Sequence, residues 1–344
     1  MGASIARQLK ERYPKRRVVV VDNLKRRGSE LNLSDFKRRS IEFVHGDIRN
    51  PDDLTAVEGA FDLLIEASAE ASVLAGLNSD PSYLLHTNLT GTLNCLEFAR
   101  ARCDAVIFLS TSRVYSIPAL RALPLAEGDD RLDLVEGATF PVGCSAAGIS
   151  ETFETARYRS LYGATKLASE LIIQEYCELF GLRAVVNRCG VIAGRGQWGK
   201  ADQGVYTMWV ARHHFEKELQ YIGFGGTGKQ VRDLLHPNDL FALIDLQAEQ
   251  MPEYAGEVYN VGGGLRGSIS LRQYTELCRE LTGRKVGIGV DAETNKVDVP
   301  YYVTDNAKVT ASTGWGPKIG VADIVADIFE WLKAEEDAVR TIFS

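Results

Sequence analysis

Arg17-Val18-Val19-Val20-Val21-Asp22 is a continuous apolar run that ends in an acid. A half-exposed strand alternates apolar and polar residues, whereas a strand covered on both faces of a parallel sheet does not. The run therefore reads as a buried parallel strand. Before it, 2–13 reads as a helix, with Ile5, Ala6 and Leu9 on one face and Pro14 beyond its end. After it, 42–47, 61–66, 105–110 and 182–188 repeat the strand signal. Helices are expected over 81–102 and 158–180, with a shorter one opened by Asn50 as N-cap and Pro51 at its first position. Strands alternating with helices at this pace predict an α/β fold: a Rossmann-type, doubly wound parallel sheet with helices on both faces.

The character changes after residue 190. A glycine-rich loop over 190–204 precedes an expected helix over 205–218 and a glycine-rich, hairpin-like stretch over 221–231. His236-Pro237-Asn238-Asp239 opens another helix, Ser270 and Gln273 form a capping box, and 321–334 reads as the last helix. No strong sheet is expected here. The division predicted is a first domain over 1–188 and a smaller lobe over 189–344, some of whose segments return to the first. The stretch 117–159 is the longest irregular one and reads as a wall over a site.

The chain has 344 residues, a formal charge of −7 and 45% hydrophobic residues, enough for a full core. The acidic balance argues against nucleic acid as a partner, since phosphate binding calls for a basic face. Lys25-Arg26-Arg27 is a local exception, readable as a solvated face or as a phosphate edge. Six scattered cysteines form no metal spacing and read as reduced thiols of a cytoplasmic protein, with no metal. No stretch approaches the ~18 uninterrupted apolar residues of a membrane span. His213-His214 reads as a surface pair, and Cys189 has no nearby histidine to make it a nucleophile.

The chemistry centres on Tyr162-Gly163-Ala164-Thr165-Lys166. On a helix, residues four apart share a face. An ammonium beside a phenol favours phenolate, lowering the tyrosine pKa from ~10 toward the working range of a general base. Asp22, ending a strand directly after the first helix, suits the ribose hydroxyls of a dinucleotide and would repel a 2′-phosphate, which favours NAD; a turn-capping aspartate is the plainer reading. A glycine-rich pyrophosphate loop should precede that helix. The sequence opens at Met1-Gly2-Ala3-Ser4, with Gly2 where the last glycine of such a loop falls. The first strand and most of the loop are thus expected to be missing from this chain. Either the native start lies upstream, or this is a truncated or degenerate copy with weak NAD binding, a non-catalytic dinucleotide-binding protein.

Asp22, Gly46-Asp47-Ile48, Thr111, Tyr162/Lys166 and Arg232-Asp233 together resemble the extended short-chain dehydrogenase/reductase family, in its nucleotide-sugar epimerase and dehydratase branch. The resemblance implies NAD as cofactor, a nucleotide sugar as substrate and a homodimer or higher homo-oligomer. It implies that Gly2, Asp22, Asn23, Asp47, Ile48, Ala67, Ala69 and Asn88 line the cofactor, Asn88 by steadying the backbone. Thr111 would hydrogen-bond the reacting sugar oxygen, Tyr162 would be the base and also border the cofactor, and Lys166 would hold the nicotinamide ribose. Arg232 would contact the diphosphate, although an ion pair with Asp233 or another loop acid would equally explain it. Asp202-Gln203-Gly204 and Gly228–His236 are similar to enzymes that epimerise CDP-sugars at C2, which places Gln203 at the substrate. An acid pair after Thr111 would mark a dehydratase; Ser112-Arg113 stand there instead.

Overall fold

The computed structural model describes residues 1–77, 79–199 and 203–343. The chain divides into two compact units. The first comprises Met1–Val114, Ser160–Arg188 and Phe241–Tyr259; the second comprises Tyr115–Arg159, Cys189–Leu240 and Asn260–Ser344. Residues 115–159, which a single cut at 188 assigns to the first domain, thus belong with the second.

The first unit alternates helices and strands as the apolar runs dictate. Helix α1 (Gly2–Arg12) leads to β1 (Val19–Asp22), α2 (Leu33–Arg38) and β2 (Glu42–His45). Asn50 caps α3 (Pro51–Thr55), its side chain accepting the Asp52 N–H. Then come β3 (Leu64–Glu66), α4 (Ser82–Leu85), α5 (Gly91–Arg102) and β4 (Ala105–Thr111). Further along come α6 (Leu161–Phe180), β5 (Arg183–Cys189), the helices Pro237–Glu249 and Met251–Tyr254, and β6 (Val258–Val261). The helix expected over 81–102 is interrupted by a π-helical turn, His86–Thr90, between α4 and α5.

β1 and β2 pair in parallel, Asp22 opposite His45, and β3 to β6 form a four-stranded sheet in the order β6-β5-β4-β3. β4 is buried along its whole length, as an apolar run in the middle of a covered sheet should be. β1 departs from that expectation: Val19, Val20 and Val21 are only half-buried and Asp22 is exposed. Among the described residues its one ladder partner is β2, so its sheet is two strands wide.

The second unit corrects four expectations. It has sheets of its own: Val191–Ile192, Val231–Leu235, Ser268–Ser270 and Tyr301–Tyr302 form one, and Leu219–Ile222 pairs in parallel with Ile288–Asp291. The stretch over 221–231 is therefore no hairpin, because its two ends enter different sheets. The stretch over 117–159 contains a short helix, Ile117–Arg121, and two antiparallel strand pairs, Leu125–Glu127 with Leu132–Leu134 and Cys144–Ser145 with Gly148–Ile149. The helix Val321–Ala334 is followed by another, Glu336–Phe343. The core of this unit packs Trp209, Val210, Tyr274, Cys278, Ile324 and Ile328 together. Among the described residues, no helix is long and apolar enough to cross a membrane.

Candidate active site

Ser160 starts α6 by accepting the Gly163 N–H on its hydroxyl, and Gly181 ends it at φ 67° in the left-handed region. The helix thus begins at Leu161, later than the sequence suggests. Tyr162 lies in its first turn and Lys166 one turn on, 9% and 1% exposed. Ser169, Glu170 and Ile173 continue the same buried face. α6 packs against β4 and against the turn Ser112–Val114 that follows it. The Lys166 ammonium lies 3.8 Å from the centre of the Phe108 ring on β4, a cation–π contact.

Thr111 ends β4 and is buried; its hydroxyl accepts the Arg113 N–H at 3.2 Å. Its neighbour Ser110 donates to the Glu170 carboxylate on α6. Arg188 on β5 donates to that same carboxylate through Nε, 3.0 Å from Oε2, and Nη2, 2.7 Å from Oε2. Sequence reasoning missed this buried pair, yet it ties β4 and β5 to the helix that carries Tyr162 and Lys166.

Asn88 sits in the π-helical turn with its side chain fully engaged. Its Oδ1 accepts the Glu70 N–H at 2.8 Å, and its Nδ2 donates to the Glu70 carbonyl at 3.0 Å and to Thr165 Oγ1 at 3.3 Å. The segment Ala67–Glu70 after β3 is thereby fastened to α6, and Ala67 and Ala69 lie in it. Asn88→Ala would take from the half-buried Glu70 backbone the partners of its N–H and its carbonyl. Its unfolding free energy in urea is expected to fall by about 1–3 kcal/mol.

At the ends of β1 and β2 a second polar group assembles. Asp22 Oδ1 accepts the Leu24 N–H at 2.7 Å, a tight turn in which Leu24 takes φ 52°. Asn23 donates to Asp47 at 2.9 Å, and Arg49 forks onto the same carboxylate at 2.9 and 2.6 Å. Arg49 holds the Asp47 carboxyl well below the usual carboxylate range against the opposing effect of burial. Ile48 is buried against Gly91, where any Cβ would come within 2.5 Å of its side chain. Lys25 and Arg49 both lie over the ring of Tyr83, which gives Lys25 an aromatic partner. Gly2 opens α1 facing Ala67. A Cβ on Gly2 would meet Ala67 at 3.7 Å, an ordinary contact, so protein packing alone does not demand glycine there. An exposed strand-end carboxylate, a fixed Asn23–Asp47 pair, an apolar wall at Ile48 and the clamped turn together fit a dinucleotide such as NAD.

In the second unit Arg232 is buried and already engaged: Nη2 donates to Asp298 at 2.9 Å and to the Val299 carbonyl at 2.6 Å. The acid it pairs with is Asp298, not Asp233. Asp233 instead accepts the N–H groups of Gly264 and Thr304, and burial pushes its carboxyl up. Gln203 is half-buried just ahead of the helix Val205–His214, while Asp202 lies outside the described residues. His213 and His214 are buried, not on the surface, at 0% and 6% exposure. Adjacent helical residues face different ways, but this helix is packed by Leu271–Thr282, Val321–Ala334 and Glu336–Phe343. Burial lowers both imidazoles from their ordinary range.

The chain is 28% identical over 323 residues to a CDP-paratose 2-epimerase of Salmonella typhi, covering 91% of each chain. It is 27% identical to a dTDP-glucose 4,6-dehydratase of Streptomyces niveus, covering 92% of this chain and 83% of that one. Its fold matches a UDP-glucuronic acid 4-epimerase from Bacillus cereus, solved with UDP-glucuronic acid and NAD, at a TM-score of 0.77 and 19% identity, covering 97% and 96% of the two chains. The model of the family described as "NAD dependent epimerase/dehydratase family" matches residues 1–262. A family match over most of the chain, joined to the α/β fold and the Tyr162/Lys166 face, makes this protein an enzyme of the NAD-dependent epimerase/dehydratase family, with NAD as its cofactor.

Proposed function

We propose that the protein interconverts CDP-paratose and CDP-tyvelose by inverting C2 of the sugar. The observation that carries the reading is the Tyr162/Lys166 pair, one turn apart on the buried face of α6 beside the strand that ends in Thr111. The choice of sugar rests on the likeness to the Salmonella typhi enzyme across 91% of both chains.

NAD, when bound, supplies the hydride acceptor that lets C2 pass through a ketone and back. The protein's own residues do the rest. Tyr162, as phenolate, takes the proton of the 2-hydroxyl and later returns it. Lys166 stabilises the phenolate by its charge and holds a ribose hydroxyl of the cofactor. Thr111 orients the reacting oxygen. Asp22, Asn23, Asp47 and Ile48 hold the adenosine end, with Gly2, Ala67, Ala69 and Asn88 shaping the wall between. In the second unit, Gln203 contacts the substrate, and Arg232, its guanidinium held by Asp298 and the Val299 carbonyl, supplies positive charge for its diphosphate. Anchoring the nucleotide lets binding energy retain a reactive sugar while it turns. Leu161, Leu171 and Leu179 are exposed on one side of α6, which supports pairing of two copies through this helix.

The test is to incubate the protein with NAD and CDP-paratose, UDP-glucose or dTDP-glucose separately and follow the sugar protons by NMR. Inversion at C2 of the CDP-sugar alone is expected. Inversion at C4 of UDP-glucose, or loss of water from dTDP-glucose, would replace this reading with another activity of the family.

A further inference from the structure

Glu66, at the end of β3, is a carboxylate to which the proposed chemistry gives no role, and it is 3% exposed. In the parallel β3/β4 ladder it lies opposite Phe108, so the two side chains share one face of the sheet. The Lys166 ammonium sits over that same Phe108 ring at 3.8 Å. Thr92 on α5 places its hydroxyl 2.7 Å from Glu66 Oε1, whereas Oε2 is buried without a hydrogen-bond partner. Burial pushes the Glu66 carboxyl up, and the charge of Lys166 pulls it the other way.

The charges around this spot can be followed element by element. From α5 comes Cys95, whose thiol burial pushes far up and so keeps neutral. β4 brings Phe108 and Ser110. α6 itself brings Tyr162 and, one turn beyond Lys166, Glu170. The Glu170 carboxylate is already held by Arg188 and Ser110. Glu66 is the other buried carboxylate on these elements, and it still has an oxygen to spare. A buried ammonium tends to lose its proton, because low-dielectric surroundings disfavour charge. A neutral lysine cannot stabilise a phenolate.

We propose that Glu66 is a positioning residue for the Tyr162/Lys166 pair: its buried carboxylate keeps the Lys166 side chain protonated and in place over Phe108. The catalytic consequence rests on the reading of Tyr162 as base; the electrostatic coupling does not.

Glu66→Gln keeps the length and the Thr92 contact and removes the charge, while Glu66→Asp keeps the charge. The titration of Lys166 is followed by NMR of isotope-labelled lysine side chains, assigned by its absence in Lys166→Met, with a urea midpoint to monitor folding. In Glu66→Gln the Lys166 titration is expected to fall by about one pH unit or more, and to return toward the wild-type position in Glu66→Asp. The alkaline limb of the kcat profile should move down with it. Glu66→Met, a second neutral side chain of similar length, should give the same shift if the amide is not accommodated. An unmoved Lys166 titration in a folded neutral variant overturns the proposal; it would follow if Glu66 were a neutral acid donating to Thr92. A shifted titration in a protein that turns over no nucleotide sugar would sustain the coupling and remove the epimerase reading. Turnover with an unmoved titration would do the reverse.

Discussion

Replacing Tyr162 by Phe is expected to lower turnover by about 10²–10⁴-fold, the usual worth of a positioned acid or base. The change removes one oxygen and leaves the ring. Tyr162 is buried in the first turn of α6, and that turn is set by Ser160 accepting the Gly163 N–H, a contact the substitution does not touch. The urea midpoint should therefore stay near that of the parent chain. NAD should still bind, since Asp22, Asn23 and the Asn88-clamped turn are unaltered. Retention of most of the turnover in Tyr162→Phe would remove Tyr162 as the base.

Breaking the Glu170–Arg188 pair is expected to have the largest effect on stability. The two side chains are 2% and 11% exposed and joined at 2.7 Å. Arg188→Met would leave Glu170 as a buried carboxylate held, among the described residues, by Ser110. Removing one partner of a buried pair costs about 3–5 kcal/mol, a large share of the roughly 5–15 kcal/mol that holds an ordinary domain together. The double variant Glu170→Gln/Arg188→Met should recover most of that loss, because no charge is then stranded. Urea unfolding of the parent, both single variants and the double variant measures the coupling directly. Losses that simply add would show that the two residues act independently.

The two cases also mark what could be read in the sequence. Tyr162 and Lys166 were legible because helical spacing alone puts them on one face. The helix itself was expected over 158–180 but begins later, at Leu161, because Ser160 caps it. The capping box at Ser270 and Gln273 was equally local, and both of its halves are formed. Glu170 and Arg188 gave no such signal. They lie on different elements, and only the packing of α6 on the sheet brings them together. Glu66 shows the same limit: it reads as the polar end of an apolar run until Phe108 and Lys166 stand beside it. Asn88 was placed on a helix, but the π-helical turn that carries it has no sequence signature.

The second unit was the harder part for a physical reason. Its strands run two to five residues, too short for a period to register. Their pairings join distant segments, as where Val231 meets Tyr301. His213 and His214 face different ways, as adjacent helical residues must, yet both are buried because neighbouring helices cover this helix on more than one side. Arg232 was expected to pair with Asp233 or another loop acid if not with a ligand, and it is Asp298 that reaches it.

The central claim is a reversible redox inversion at C2, and an isotope on that carbon tests it most directly. CDP-paratose carrying deuterium at C2 is incubated with the protein and NAD in ordinary water, and the product is examined by NMR and mass spectrometry. If C2 is inverted by transient oxidation, CDP-tyvelose forms with its deuterium still on C2, because the same hydrogen leaves and returns without meeting solvent. Exchange of the deuterium for solvent hydrogen during inversion, or no inversion at all with NAD bound, would contradict it.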